Sequence, residues 1–216
     1  MPFVSRFIAL SAAGLICAAC TALKVVTHAT SADPIDAPAG EYRLDPHHWS
    51  VAFDVDHLGY SRFAMRFDRA RSTLDFHPED PARSSVTVHI AAGSLDTNVA
   101  ELDELVRGPD LLDSGRFPDI VFVSRALRPT GKTEGEMDGD LTIHGETRPV
   151  TLSVTFNGGA PNPLTGRHTL GFSATGRFSR AAFGLVHWYP AVGDEMRVRI
   201  EAEFENQDGA SRPDFS

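Results

Sequence analysis

The chain has 216 residues, 42% of them hydrophobic, with 20 basic against 29 acidic side chains and a formal charge of −9. That apolar content suffices for one well-buried domain. The negative balance excludes a nucleic-acid binder, because such a surface repels phosphates over a Debye length of about 10 Å.

The chain opens MPFVSRFIALSAAGLICAACTALK, with Arg6 ahead of an uncharged run and small residues after it, the layout of a secretory signal. Residues 1–32 therefore read as an export segment. Release after Ala22 or Ala32 and lipid attachment at Cys20 both fit it; Cys17, where lipid-attachment signals usually carry Leu, favours release. Acylation of Cys20 would make this segment a membrane tether. Both cysteines lie here, so the folded domain has no thiol chemistry. Removing 1–32 takes away Arg6 and Lys24 and no acid, leaving 18 basic against 29 acidic side chains, or −11. Residues 33–40 read as a linker and 206–216 as a tail, around a domain at 41–205.

Within the domain, apolar and polar residues alternate. Trp49, Val51, Phe53, Val55 and His57 share one parity against Ser50, Ala52, Asp54 and Asp56, a long half-buried strand. Phe63, Met65 and Phe67 have one parity and Leu74 and Phe76 the other, so a bulge or bend near Ala70 must reset the register. Val86, Val88 and Ile90 form a third strand. Thr97 or Asn98 can then cap a short helix with Leu102, Leu105 and Val106 at helical spacing, followed by a second short turn at 110–114. The fourth strand, 120–124, is apolar on both faces and includes Phe122. Met137, Leu141 and Ile143 lead to a tight connection at His144-Gly145-Glu146, after which Val150, Leu152, Val154 and Phe156 run back as a hairpin. His168, Leu170, Phe172, Ala174 and Phe178 make the seventh strand. A Gly- and Pro-bearing loop at 181–194 leads to the eighth, where Met196, Val198, Ile200, Ala202 and Phe204 alternate with Arg197, Arg199, Glu201, Glu203 and Glu205.

Eight strands with hairpin-length links predict an all-β fold, an eight-stranded antiparallel barrel with one or two short helices between strands three and four. A β-sandwich is the rival. A membrane barrel is disfavoured, since Thr151, Ser153, Thr155, Arg197 and Arg199 would then meet lipid.

Five motifs carry a family resemblance: YRLDPHHWSVAFDVDHLG at 42–59, SLDT at 94–97, LLDSGRFPDIVFVS at 111–124, GDLTIHGETRPVTL at 139–152, and RFSRAAFGL at 177–185 with VGDEM at 192–196. In this order and spacing the chain resembles the YceI family, polyisoprenoid-binding, lipocalin-like proteins of the bacterial periplasm. The resemblance implies a barrel whose apolar tunnel takes a long isoprenoid chain, such as that of a quinone or a polyprenyl phosphate. It implies binding, not catalysis, and no cofactor. The lumen is then expected to be lined by Phe53, Val55, Phe63, Met65, Phe67, Val88, Ile90 and Phe122 from the first half of the domain. The second half adds Leu141, Ile143, Leu152, Phe156, Phe172, Phe178, Met196 and Ile200. His48, His57 and Arg180 are the polar candidates for its mouth. Trp49 stands where the family usually has Ser and Met65 where it usually has Gly, and both would narrow the bore.

The residues support an apolar pocket independently, since Phe rings recur on several strands. Burying about ten CH₂ equivalents at ~0.8 kcal/mol each gives ~8 kcal/mol before ordering costs, enough for about micromolar binding without headgroup contacts. Other readings of the same residues stay open. The rings could fill a dry barrel that serves as a periplasmic stress-related interaction module, with the 181–194 loop contacting another protein. His48 and His57 could be structural, and no His-x-His or His-x₃-His pair on a strand suggests a metal. Arg148 and Arg180 could brace loops through backbone carbonyls. Asp45 and Asp96 read as Asx-type turn residues. A third reading, an enzyme acting on a lipid headgroup, lacks a G-x-S-x-G serine.

Overall fold

The computed structural model describes residues 25–207. Most of the export segment, including both cysteines, and residues 208–216 lie outside the described residues. The strands are β1 (Gly40–His57), β2 (Ser61–Phe67), β3 (Ala70–Phe76), β4 (Ser85–Ala91), β5 (Leu95–Asp96), β6 (Asp119–Pro129), β7 (Glu134–Ile143), β8 (Glu146–Pro161), β9 (His168–Ser179) and β10 (Glu195–Asn206). Helix α1 (Ala100–Arg107) lies between β5 and β6.

β1 is long, 18 residues, because it serves two neighbours on one edge. Its first part pairs with β3, Gly40 opposite Phe76, and its last part with β2, Val51 opposite Phe67. β2 and β3 are thus two arms of one bent strand, interrupted at Asp68 and Arg69. Burial changes parity across the interruption, from Met65 and Phe67 to Ser72, Leu74 and Phe76, as the apolar pattern near Ala70 requires. Counting the bent strand once, the antiparallel circuit β1–β3–β4–β6–β7–β8–β9–β10 returns to β1, closing an eight-stranded barrel. The sandwich is excluded by that closing pair. Strand β5 caps the outer edge of β2.

Several boundaries differ from the sequence expectation. β6 runs five residues beyond 124, through a register shift between Ser124 and Ala126. Arg125 and Arg128 obscured that extension; they point outward and pair with Asp140 and Asp138 on β7. β10 reaches the buried Asn206, so the tail begins later than 206. Neither Thr97 nor Asn98 caps α1, whose N-cap is Val99 with no side-chain cap bond. Asp103 reaches back instead, accepting from the Thr97 backbone N–H and hydroxyl at 2.7 Å. The stretch 110–114 forms turns, and the second short helix is the 3₁₀ turn Ala92–Ser94.

The barrel has two distinct ends. The upper end carries the β1–β2 turn, α1, the His144-Gly145 hairpin and the loop between β9 and β10; the lower end carries the β3–β4, β6–β7 and β8–β9 connections. Residues 31–37 form a strap on the lower end. Ser31 and Gly159 exchange two backbone hydrogen bonds of 2.9 Å, Asp33 pairs with Lys132 at 2.9 Å, and Ala37 is buried behind a 3₁₀ turn at Pro34–Asp36. Much of the stretch read as a linker is therefore docked. Gly158 permits this approach: its φ is +147°, and a Cβ there would meet Thr30 Oγ1 at 2.9 Å and Ser31 O at 3.0 Å.

A second glycine sets the wall. Gly139 on β7 faces inward, and the Phe122 ring lies across it. A Cβ at Gly139 would come within 2.7 Å of Val123 O and closer still to the ring. Gly139→Ala should lower unfolding free energy by about 1–3 kcal/mol, as overpacking does. Chemical denaturation reads it; an unchanged midpoint would mean the wall yields freely.

Candidate functional site

Inward parity from eight strands leaves an apolar cavity of about 780 Å³ along the barrel. That volume falls within the range of small-molecule sites, roughly 300–1,000 Å³. All sixteen apolar positions expected in the lumen border it, from Phe53 and Val55 on β1 to Met196 and Ile200 on β10. Near the lower end, Phe172 touches the rings of Phe156, Phe204 and Phe76 at centroid distances of 5.4, 6.0 and 6.3 Å. Phe53 and Phe67 stack at 5.2 Å further up. Trp49 and Met65 both border the space.

Sequence reasoning missed part of the lining at the upper end. Leu102 and Val106, one turn apart on α1, border the cavity together with Leu111, Leu112 and Leu185. Their helical spacing was visible, but not the direction in which the helix faced. Pro34 of the strap and Pro78 and Pro81 of the β3–β4 connection border its lower end.

Polar groups stand mainly at the ends. Lys132, Thr133 and Glu134 border the lower end, and His57, Arg177 and Arg180 the upper. Midway, the inward-facing Ser72 hydroxyl is already committed, donating to Thr87 O at 2.9 Å.

The three polar candidates have separate fates. His57 borders the upper rim, exposed, with its ring 6.1 Å from Phe63. His48 does not reach the cavity. The β1–β10 register passes from Leu44–Phe204 to Trp49–Ala202, so residues 45–48 loop out opposite Glu203. Asp45 closes that loop by accepting from the His47 backbone at 2.8 Å and His48 Nδ1 at 2.9 Å. The Asp45 hydrogen bond and charge hold the His48 imidazole above its usual pKa. Burial pushes Asp45 up, but its bonds to His48 and His47 outweigh that and leave it low. Asp45, His48 and Glu203 have metal-compatible spacing, yet the histidine–carboxylate pair already accounts for Asp45 and His48.

Arg180 borders the cavity but braces the upper loop. It is 5% exposed, and its guanidinium donates to the carbonyls of Gly193 at 2.7 Å, Val192 at 2.8 Å, His187 at 3.0 Å and Leu185. Burial pushes its pKa below the usual arginine value. Arg148 is exposed, away from the cavity, and bonds to Glu146 and Thr147 O. Asp96 forms the Asx turn expected of it, accepting from the Asn98 backbone at 2.7 Å.

Known proteins resemble this chain in sequence and fold. The chain matches the YceI-like domain over residues 42–204. It is 34% identical over 183 residues to a UPF0312 protein of Vibrio cholerae, covering 84% of this chain and 96% of the relative. A UPF0312 protein of Pseudomonas syringae pv. tomato is 36% identical over 151 residues, 69% of this chain and 78% of the relative. Among solved structures, Burkholderia cenocepacia BcnA superposes with a TM-score of 0.68 at 24% identity, covering 74% of this chain and 98% of that one. A polyisoprenoid binding domain from Saccharophagus degradans, implicated in plant cell wall breakdown, superposes with a TM-score of 0.61 at 10% identity, covering 78% and 99%.

Proposed function

Since the chain belongs to the YceI-like domain family, we propose that it is a lipid carrier that holds a long isoprenoid chain, of a quinone or polyprenyl phosphate, in the barrel lumen. The apolar tail lies inward and the headgroup stays at the upper mouth. The observation that carries this reading is the cavity of about 780 Å³, walled by phenylalanine and aliphatic side chains from eight strands. A barrel acting only as an interaction scaffold has no use for that space. The polyisoprenoid binding domain of Saccharophagus degradans, which has the same fold, supports the ligand class.

Binding draws on transfer of apolar surface from water, about 25 cal/mol per Å², so chain length weighs more than headgroup identity. Specificity should be loose. Arg180 and His48 are engaged within the protein, which removes two of the three groups considered for a headgroup contact. We read the protein as binding without turnover, and as acting in the periplasm after export.

Native mass spectrometry after gentle purification tests this. A bound lipid, or uptake of an added isoprenoid quinone with one-to-one stoichiometry, is expected. Repeated recovery of empty protein that takes up no isoprenoid quinone would sink the reading.

A further inference from the structure

The upper end exposes a cluster of large apolar side chains. Leu58 and Tyr60 on the β1–β2 turn are 53% and 88% exposed, and Val186, Trp188 and Tyr189 on the β9–β10 loop are 58%, 41% and 61% exposed. The two segments are joined: Leu58 N–H donates to Ala191 O at 2.8 Å, His57 bridges Val192, and Val192 N–H donates to Trp188 O at 2.9 Å. Leu58 and Trp188 both hold left-handed backbone angles, φ 58° and 61°, rarely adopted by bulky side chains. Both also border the cavity.

We infer that this apolar rim is a docking surface for a neutral, zwitterionic lipid bilayer, through which the cavity exchanges its occupant. The inference rests on the carrier reading, which supplies a ligand that dissolves in bilayers. Continuity is the first argument: the rim and the cavity share Leu58 and Trp188, so a chain leaving the lumen would cross apolar surface throughout. Charge is the second. None of the five rim side chains is charged, and the chain carries −9 overall, so anionic membrane is repelled while phosphocholine is not. The neighbouring acids are already bonded: Asp56 accepts from Gly59 N–H at 3.0 Å, and Asp194 from Ser179 Oγ–H and Ala181 N–H. Tryptophan and tyrosine supply the third argument, since a ring with a polar tip suits the boundary between headgroups and acyl chains.

The chain has two tryptophans, which allows a site-specific test. Trp49 lies eight residues before His57 along β1, so about 26 Å from the rim along the tilted strand and about 20 Å in depth at 3.3 Å per residue. In full-length protein carrying Trp49→Phe, emission then reports Trp188 alone, and in Trp188→Phe it reports Trp49 alone. Vesicles of phosphatidylcholine with brominated acyl chains should quench Trp188 at least twofold and leave Trp49 unaffected. This readout separates the rim from any contribution of residues 1–24. Adding Tyr60→Ser, Val186→Ser and Tyr189→Ser, none of which borders the cavity, should weaken vesicle binding about tenfold.

Unquenched Trp188, equal quenching of both tryptophans, or a rim covered by a second copy in sedimentation would overturn the docking surface. Isoprenoid quinone added from ethanol, without vesicles, keeps the two readings apart. Protein that loads but whose Trp188 is never quenched loses the docking surface and keeps the carrier function. Quenched Trp188 in protein that never loads does the reverse.

Discussion

Arg180→Ala should lower the unfolding free energy by about 3–5 kcal/mol, because four backbone acceptors lose the one side chain that donates to them. Here the partners left behind are backbone carbonyls. Leu185, His187, Val192 and Gly193 all direct oxygens at the guanidinium. Each buried acceptor left unsatisfied costs about 1–3 kcal/mol, reduced wherever water enters. The loop they belong to also buries Phe183 and Leu185 against the upper core, so its loosening spreads into the barrel. Chemical denaturation should show the loss, and hydrogen exchange should show it first in residues 180–194. Arg180→Lys should recover only part, because an ammonium has three donors and cannot reproduce the planar fork. A loss below about 1 kcal/mol for the alanine variant would show that the loop holds without its brace.

The second large effect is expected at Phe172. Its ring is half-buried among Phe156, Phe204 and Phe76 and faces the cavity. Phe172→Asp places a carboxylate in that setting without a donor to meet it, a penalty of several kcal/mol against a total stability of about 5–15 kcal/mol. Folded protein should be scarce and isoprenoid binding absent. Phe172→Ala separates the ring's two roles. A ring packed on all sides costs about 3–5 kcal/mol on truncation, and one that adjoins open space costs less. With rings on one side and the cavity on the other, about 2–3 kcal/mol is expected from denaturation. A loss above 5 kcal/mol would mean the ring belongs to a solid core.

Much of this was legible in the chain because a strand with one dry face writes its register directly as alternation. The parity switch between Phe67 and Leu74 required a bend, and the structure puts the interruption at Asp68 and Arg69. The inward set followed from the same rule, with Gly139 hidden because a missing side chain leaves no apolar mark. Where neighbours rather than alternation decide, the pattern failed. His48 looked like a strand residue with a rim-facing option, but a looped-out segment opposite Glu203 turns it away. Ends were poorly encoded too: Asp103 reaching back to Thr97 replaced the cap that composition suggested, and small residues at 31–37 hid a docked strap.

The seam between β1 and β10 has a consequence for how the molecule is made. Tyr42 faces Asn206 and Asp54 faces Arg197, so the earliest strand of the domain completes its pairing only with the last. Such distant partners slow folding, since a long stretch of chain must lose its freedom before they meet. Until the twelve residues of β10 emerge, the cylinder stays an open ribbon. For the exported carrier proposed above, this delay would favour passage through a translocation pore before the wall can shut.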